Sequence, residues 1–150
     1  MPSCPTKHFG AVEYDESAAF QFPAGLPGFD QERRFLPLYR TGYEPLVFLQ
    51  SLATRDLCFA ALPVRSVDPD FELEVAEPDL ELLGLDPGRL EIGRDVLCLA
   101  ILTIAGDRVT ANLMAPVVVN LGNLLAIQAV APSARYSHQH PVNPLRGAAC

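Results

Sequence analysis

The stretch Thr110–Asn120, TANLMAPVVVN, decides the fold. It reads as a short strand, a break at Ala115–Pro116, and a second, β-branched strand that ends in Asn120. Asn112 and Asn120 both sit against apolar neighbours, and a buried amide must have its hydrogen bonds met. Two readings are open for each: it ties off a backbone bulge around Pro116, or it presents polar groups at a binding surface. Gln50 and Gln128, each a polar residue inside an apolar run, carry the same two readings.

Working outward, short β-rich runs recur with turn signals between them, and helical periodicity is scarce. Gly10–Asp15 and Ala19–Phe22 read as the first two strands, and Phe35–Tyr39 as a further extended run. Leu46–Ser51 and Leu57–Leu62 pair across the polar turn Ala53–Asp56. Val96–Ile104 is apolar on both faces, as a central strand is, and Gly106-Asp107 suits a II′-type hairpin into Arg108–Leu113. Pro116–Asn120 and Leu124–Ala131 finish the sheet.

Asp70–Val75 (DFELEV) alternates: Phe71, Leu73 and Val75 point one way, Asp70, Glu72 and Glu74 the other. That pattern predicts a half-buried strand with an acidic outer face. Asp30–Arg34 reads as one helical turn capped by Asp30. Pro78–Gly84 reads as a helix with Pro78 at its first position and Gly84 as its stop. In Phe22–Phe29 (FPAGLPGF), Gly25 and Gly28 supply positive φ for a tight turn, and Phe22 and Phe29 fold back as core anchors. About nine strands with one or two short helices make an all-β domain, a closed or nearly closed barrel or a sandwich. Residues 1–142 are expected to form that domain. The end, Pro141–Cys150, has little to bury, so 143–150 is expected to be a flexible tail.

The chain has 150 residues, enough for one domain, and 49% are hydrophobic, enough for a real core. Its net charge of −7 disfavours direct contact with nucleic-acid phosphates and favours steering toward a basic protein. No apolar run is long enough to span a bilayer, and MPSCPTKHFG has no secretory apolar region, so a cytoplasmic location without membrane contact is expected. Cys4, Cys58, Cys98 and Cys150 form no CxxC pair and are expected to be thiols. Cys58 and Cys98 read as small buried hydrophobes, Cys4 and Cys150 as exposed.

No chemistry stands out. His138 and His140 would share a strand face, but a zinc site wants three or four ligands and no third is evident. No serine lies in a GxSxG elbow, and no cysteine has a histidine in a known signature. Gly25-Leu26-Pro27-Gly28 lacks the lysine and helix of a phosphate loop. No cofactor and no catalytic residue are expected. The acidic run Asp68, Asp70, Glu72, Glu74 reads as a solvated face.

Taken together, TKHFG (Thr6–Gly10), FPAGLPGF, Leu49-Gln50-Ser51, TANLMAPVVVN, Gln128 and Tyr136 resemble the flagellar assembly factor family, FliW, over roughly Thr6 to Val142. The chain departs from that pattern at Leu62-Pro63, Phe71, Leu121–Ala126 and Gln139. The resemblance implies a small β-barrel-like fold, a cytoplasmic protein without catalytic activity, and two protein partners. One is flagellin, held before export. The other is the RNA-binding regulator CsrA, whose repression of flagellin translation is relieved on binding. Asp68, Asp70, Glu72 and Glu74, with Gln50, Asn120 and Gln128, are then the candidate partner-binding residues. Phe22, Gly25, Gly28, Phe29, Asn112 and Pro116 are the structural motif. The alternative is a small β-barrel ligand-binding module or enzyme. A packed interior separates the first reading from the second, which needs a polar cavity with converging titratable groups.

Overall fold

The structure, a computed structural model, describes residues 2–142. Two strands, β1 (Ser3–Thr6) and β2 (Gly10–Glu13), form a separate hairpin. The main sheet takes β3 (Phe20–Gln21), β4 (Arg34–Leu38), β5 (Val47–Ser51), β6 (Cys58–Pro63), β7 (Val96–Ala105), β8 (Arg108–Ala111), β9 (Val117–Asn120), β10 (Ala126–Gln128) and β11 (His140–Val142). Two helices, α1 (Val64–Val67) and α2 (Glu77–Leu83), lie between β6 and β7. The strand path is β10-β9-β7-β6-β5-β4-β3, with β8 and β11 branching from β7. Its ends meet at one parallel bridge, Gln21 to Leu125, where the Gln21 N–H donates to Leu124 O at 3.0 Å. The sheet is thus mostly β, open in its ladder, and barrel-like in its course.

The TANLMAPVVVN stretch supplies one edge of β7 twice over. Leu102 pairs with Ala111, and Leu99 pairs with Val117. Between those pairs β7 has Ala100 and Ile101, whereas the facing chain has Asn112 to Pro116, five residues against two. The surplus bulges out, and Asn112 closes it: its Oδ1 accepts the Ala115 N–H at 3.0 Å. A bulge lets one chain serve a strand through two registers.

Strand alternation then sorts the side chains into two apolar clusters. Phe20, Phe22, Phe35, Leu49, Leu99, Val117 and Val119 fill the inside of the barrel. Val96, Cys98, Ala100 and Val118 face outward and are covered by Phe71, Leu83 of α2, and Tyr136. Successive residues of β7 serve opposite clusters, which is why Val96–Ile104 carries apolar residues on both faces.

Several expectations are corrected. Asp30–Arg34 forms turns and then enters β4 at Arg34, whose backbone is taken by the ladder to Gln21 and so is not available to a helix. Ser3–Thr6 is a strand despite its Pro and polar residues, and it buries Cys4. Phe29 is 42% exposed and packs edge-on against Phe59, while Leu26 takes the core position in that turn. Pro141 and Val142 are ladder residues of β11 rather than tail. The tail 143–150, with Cys150, lies outside the described residues. Gly25 and Gly28 do take positive φ, 68° and 82°.

Candidate partner-binding surface

The acidic segment is extended but belongs to no ladder. Residues 71–76 lie outside every strand, so the half-buried strand expected at Asp70–Val75 is absent. Side chains take the place of a neighbouring strand. Asp68 starts the segment with an Asx turn, its Oδ1 accepting the Asp70 N–H at 3.0 Å. Arg65 reaches the Phe71 carbonyl at 3.4 Å. The Glu72 N–H donates to the Tyr136 hydroxyl at 2.9 Å. Backbone groups met in this way need no sheet partner.

The carboxylates divide. Asp70 is exposed and has no side-chain partner among the described residues. Glu72 accepts from Arg135 Nη1 at 2.9 Å, and this hydrogen bond holds the Arg135 guanidinium above its ordinary pKa. Glu74 accepts from Ser133 Oγ at 2.6 Å. Both contacts lie at the surface, where even the Glu72–Arg135 ion pair adds little to stability on its own. Beneath them the Tyr136 ring lies on Phe71, centroids 4.5 Å apart, and Arg135 sits over the Tyr136 ring at 5.4 Å. So residues 133–136 clasp residues 71–74, and the acidic face is pinned by a buried phenylalanine. Sequence reasoning left Ser133 and Arg135 out. Their signal was faint: a polar run around a lone tyrosine.

The polar candidates outside this segment are placed differently. Gln50 is wholly buried; its Nε2 donates to Ser51 O, Thr54 O and Arg55 O, at 3.1, 3.4 and 3.1 Å. Its Oε1 has no hydrogen-bond partner. Three carbonyls around one side fix which end of the amide is nitrogen. Asn120 turns inward as well. Its Nδ2 donates to Leu83 O at 2.8 Å, meeting a terminal carbonyl of α2, and its Oδ1 accepts the Gly122 N–H at 2.8 Å. Neither residue faces solvent as a surface contact would. Gln128 is half-buried in β10. Ser51 is tied to Glu32 by a short hydrogen bond and caps the following turn through Ala53 and Thr54.

The interior of the barrel offers no acid or base. The buried polar residues are Thr6, Gln50, Ser51 and Asn120, so among the described residues no carboxylate, imidazole, lysine or arginine is buried. No group of three or more His, Cys, Asp or Glu among them could hold a metal ion. No helix among them is long and apolar enough to cross a membrane.

What these observations define is a small β-barrel-like domain filled by its own side chains, with its charged groups outside. The FliW protein family matches residues 3–142. The flagellar assembly factor FliW of Bacillus subtilis (strain 168) is 33% identical over 139 residues, covering 91% of this chain and 94% of that protein. FliW of Bacillus licheniformis is 35% identical over 147 residues, covering 97% of each. A crystal structure of the flagellar assembly factor FliW superposes with a TM-score of 0.81 at 32% identity, covering 93% of this chain and 96% of that one. The chain belongs to the FliW family of flagellar assembly factors.

Proposed function

We propose that this chain acts in flagellum biogenesis by binding other proteins in the cytoplasm. In this reading it captures a CsrA-type RNA-binding regulator, which frees flagellin translation from repression, and it holds flagellin as a chaperone before export. Family membership supports the flagellar role. The observation that carries a binding role over a chemical one is the barrel interior: Phe22, Phe35, Leu49, Leu99, Val117 and Val119 fill it, and no titratable pair among the described residues converges there. An enzyme or small-molecule module needs a concave site with placed polar groups.

The acidic segment suits the regulator. A protein that grips RNA does so with basic residues, and acidic side chains set beside them attract the protein and repel phosphate. Asp70 is the clearest test, since its side chain has no partner to lose among the described residues. Asp70→Lys should slow association with purified CsrA, more so at low salt, and leave the melting temperature unchanged. Flagellin binding should survive. An unchanged association rate would remove this segment from the interface and leave the family membership standing.

A further inference from the structure

We infer that the free edge of β10 receives an extended, acidic segment of a protein partner as an added strand, and that flagellin supplies it; this rests on the proposed holding of flagellin. Three observations converge at the seam of the barrel. The first is the direction of the backbone. Leu125 O accepts from Asn120 at 2.8 Å, the Ala129 N–H donates to Pro116 O at 2.9 Å, and the Ala131 N–H donates to Met114 O at 3.3 Å. These alternate residues face β9 and the chain before it. By the two-residue period of a strand, the main-chain groups of Gln128 and Val130 face the other way.

The second observation is that no described residue follows there. β3 ends at Gln21; the Phe22 N–H turns to Arg33 O at 2.7 Å, and Pro23 has no N–H to give. After the single Gln21–Leu125 bridge the chain leaves the seam, and no backbone hydrogen bond reaches Gln128 or Val130 on that side among the described residues. Val130 is 56% exposed. An unpaired edge of this kind is a template for a further strand.

The third is charge. An open groove of about 250 Å³ lies where β3 stops, lined by Gln21, Phe22, Pro23, Arg33, Arg34 and Leu125. Arg34 pairs with Gln21 in the ladder and is exposed, and its guanidinium has no partner among the described residues. Arg33 spends its guanidinium on the Asp30 and Pro23 carbonyls, so Arg34 is the cation left to a ligand, and on a chain of net charge −7 it selects an acidic occupant and disfavours the basic surface of an RNA-binding regulator. Main-chain bonding would give affinity, the apolar wall of Pro23 and Leu125 would take one side chain, and Arg34 would take a carboxylate.

Amide exchange by NMR on the whole chain tests this. Alone, the Gln128 and Val130 amides should exchange fast; with purified flagellin they should slow by about tenfold or more. With the purified regulator they should not change. Val130→Pro removes one N–H that no ladder among the described residues uses, and should weaken flagellin binding about tenfold, the worth of one main-chain hydrogen bond. Arg34→Glu should weaken it as well, and Arg34→Lys should keep most of it; these two variants carry the test if the proline variant fails to fold. If flagellin binds and the two amides still exchange at the free rate, the seam is not the site. If no complex with flagellin forms, the holding of flagellin fails, and this occupant fails with it.

Discussion

The hydroxyl of Tyr136 accepts the backbone N–H of Glu72 at 2.9 Å across 64 residues of sequence. The same side chain stacks on Phe71, so one residue both covers the outer cluster and meets a backbone donor that would otherwise need a strand. Tyr136→Phe keeps the ring and removes the acceptor. It should cost about 0.5–1.5 kcal/mol and speed exchange of the Glu72 amide. Tyr136→Ala should cost more, since Phe71 loses its cover. Denaturant melts of both variants with exchange at Glu72 check this; an unchanged Glu72 amide in the phenylalanine variant would remove the hydroxyl from the account.

The two turn glycines should separate. Gly25 and Gly28 both take positive φ, so valine at either is strained, about 1–3 kcal/mol. Only Gly25 is also crowded: a Cβ there would stand 2.7 Å from Asp30 O, whereas at Gly28 nothing lies within 4 Å. Gly25→Val should therefore destabilise clearly more than Gly28→Val in thermal melts. Equal losses would mean that conformation alone, and not the approach of Asp30, sets the cost.

Cys98 should be inert in the folded chain. Burial pushes its thiol up to about 12, and it is 1% exposed in the middle of β7. A thiol reagent should modify half-buried Cys58 well before Cys98, whose labelling should follow global unfolding. A raised acid stabilises the fold fully below its unfolded value, about 8.5, and that contribution is lost as pH rises toward the folded value. Stability should thus fall on the alkaline side more steeply in the wild type than in Cys98→Ala. Parallel slopes would show that Cys98 does not titrate on unfolding.

Asp95 works in the opposite direction. The hydrogen bond from Arg94, at 3.2 Å, and that from the Glu91 N–H, at 3.0 Å, hold its carboxyl below the usual range. A depressed acid contributes above its unfolded value and loses that contribution as pH falls through the folded one. The stability gap between wild type and Asp95→Asn should be open at neutral pH and close below about pH 4. Urea melts at the two ends of that range decide it; a gap independent of pH would assign the effect to packing.

Local rules carried the sequence reading far where one strand answers to its own periodicity. Val96–Ile104 read as central because both of its faces are apolar. The break at Ala115–Pro116 followed from a proline, and of the two readings open for Asn112 the hydrogen bond from the Ala115 N–H selects the one that ties off the bulge. Gly84 stops α2 with φ 70°, as its position after Leu83 implied. The failures share a cause. DFELEV alternates as a strand does, but a ladder also needs a neighbour, and here Tyr136, Arg65 and Asp68 take the hydrogen bonds instead. Gln50 sits in an apolar run for a reason only the fold supplies: the turn Thr54–Arg55 curls its carbonyls back over the amide. The meeting of Gln21 with Leu125 joins residues with no common pattern, and the pairing of Glu72 with Arg135 has none either.

The shared use of β7 has a thermodynamic consequence. Leu97, Leu99 and Ile101 belong to the inner cluster, and Val96, Cys98 and Ala100 to the outer one. Each cluster uses the same six residues of backbone as a wall, so neither can melt while the other keeps its shape. The chain should lose both in one transition, with amide exchange in the outer layer and in the inner strands giving the same opening free energy. A partner that only stiffens the coat around Phe71 and Tyr136 would then raise the melting point of the barrel interior without touching it.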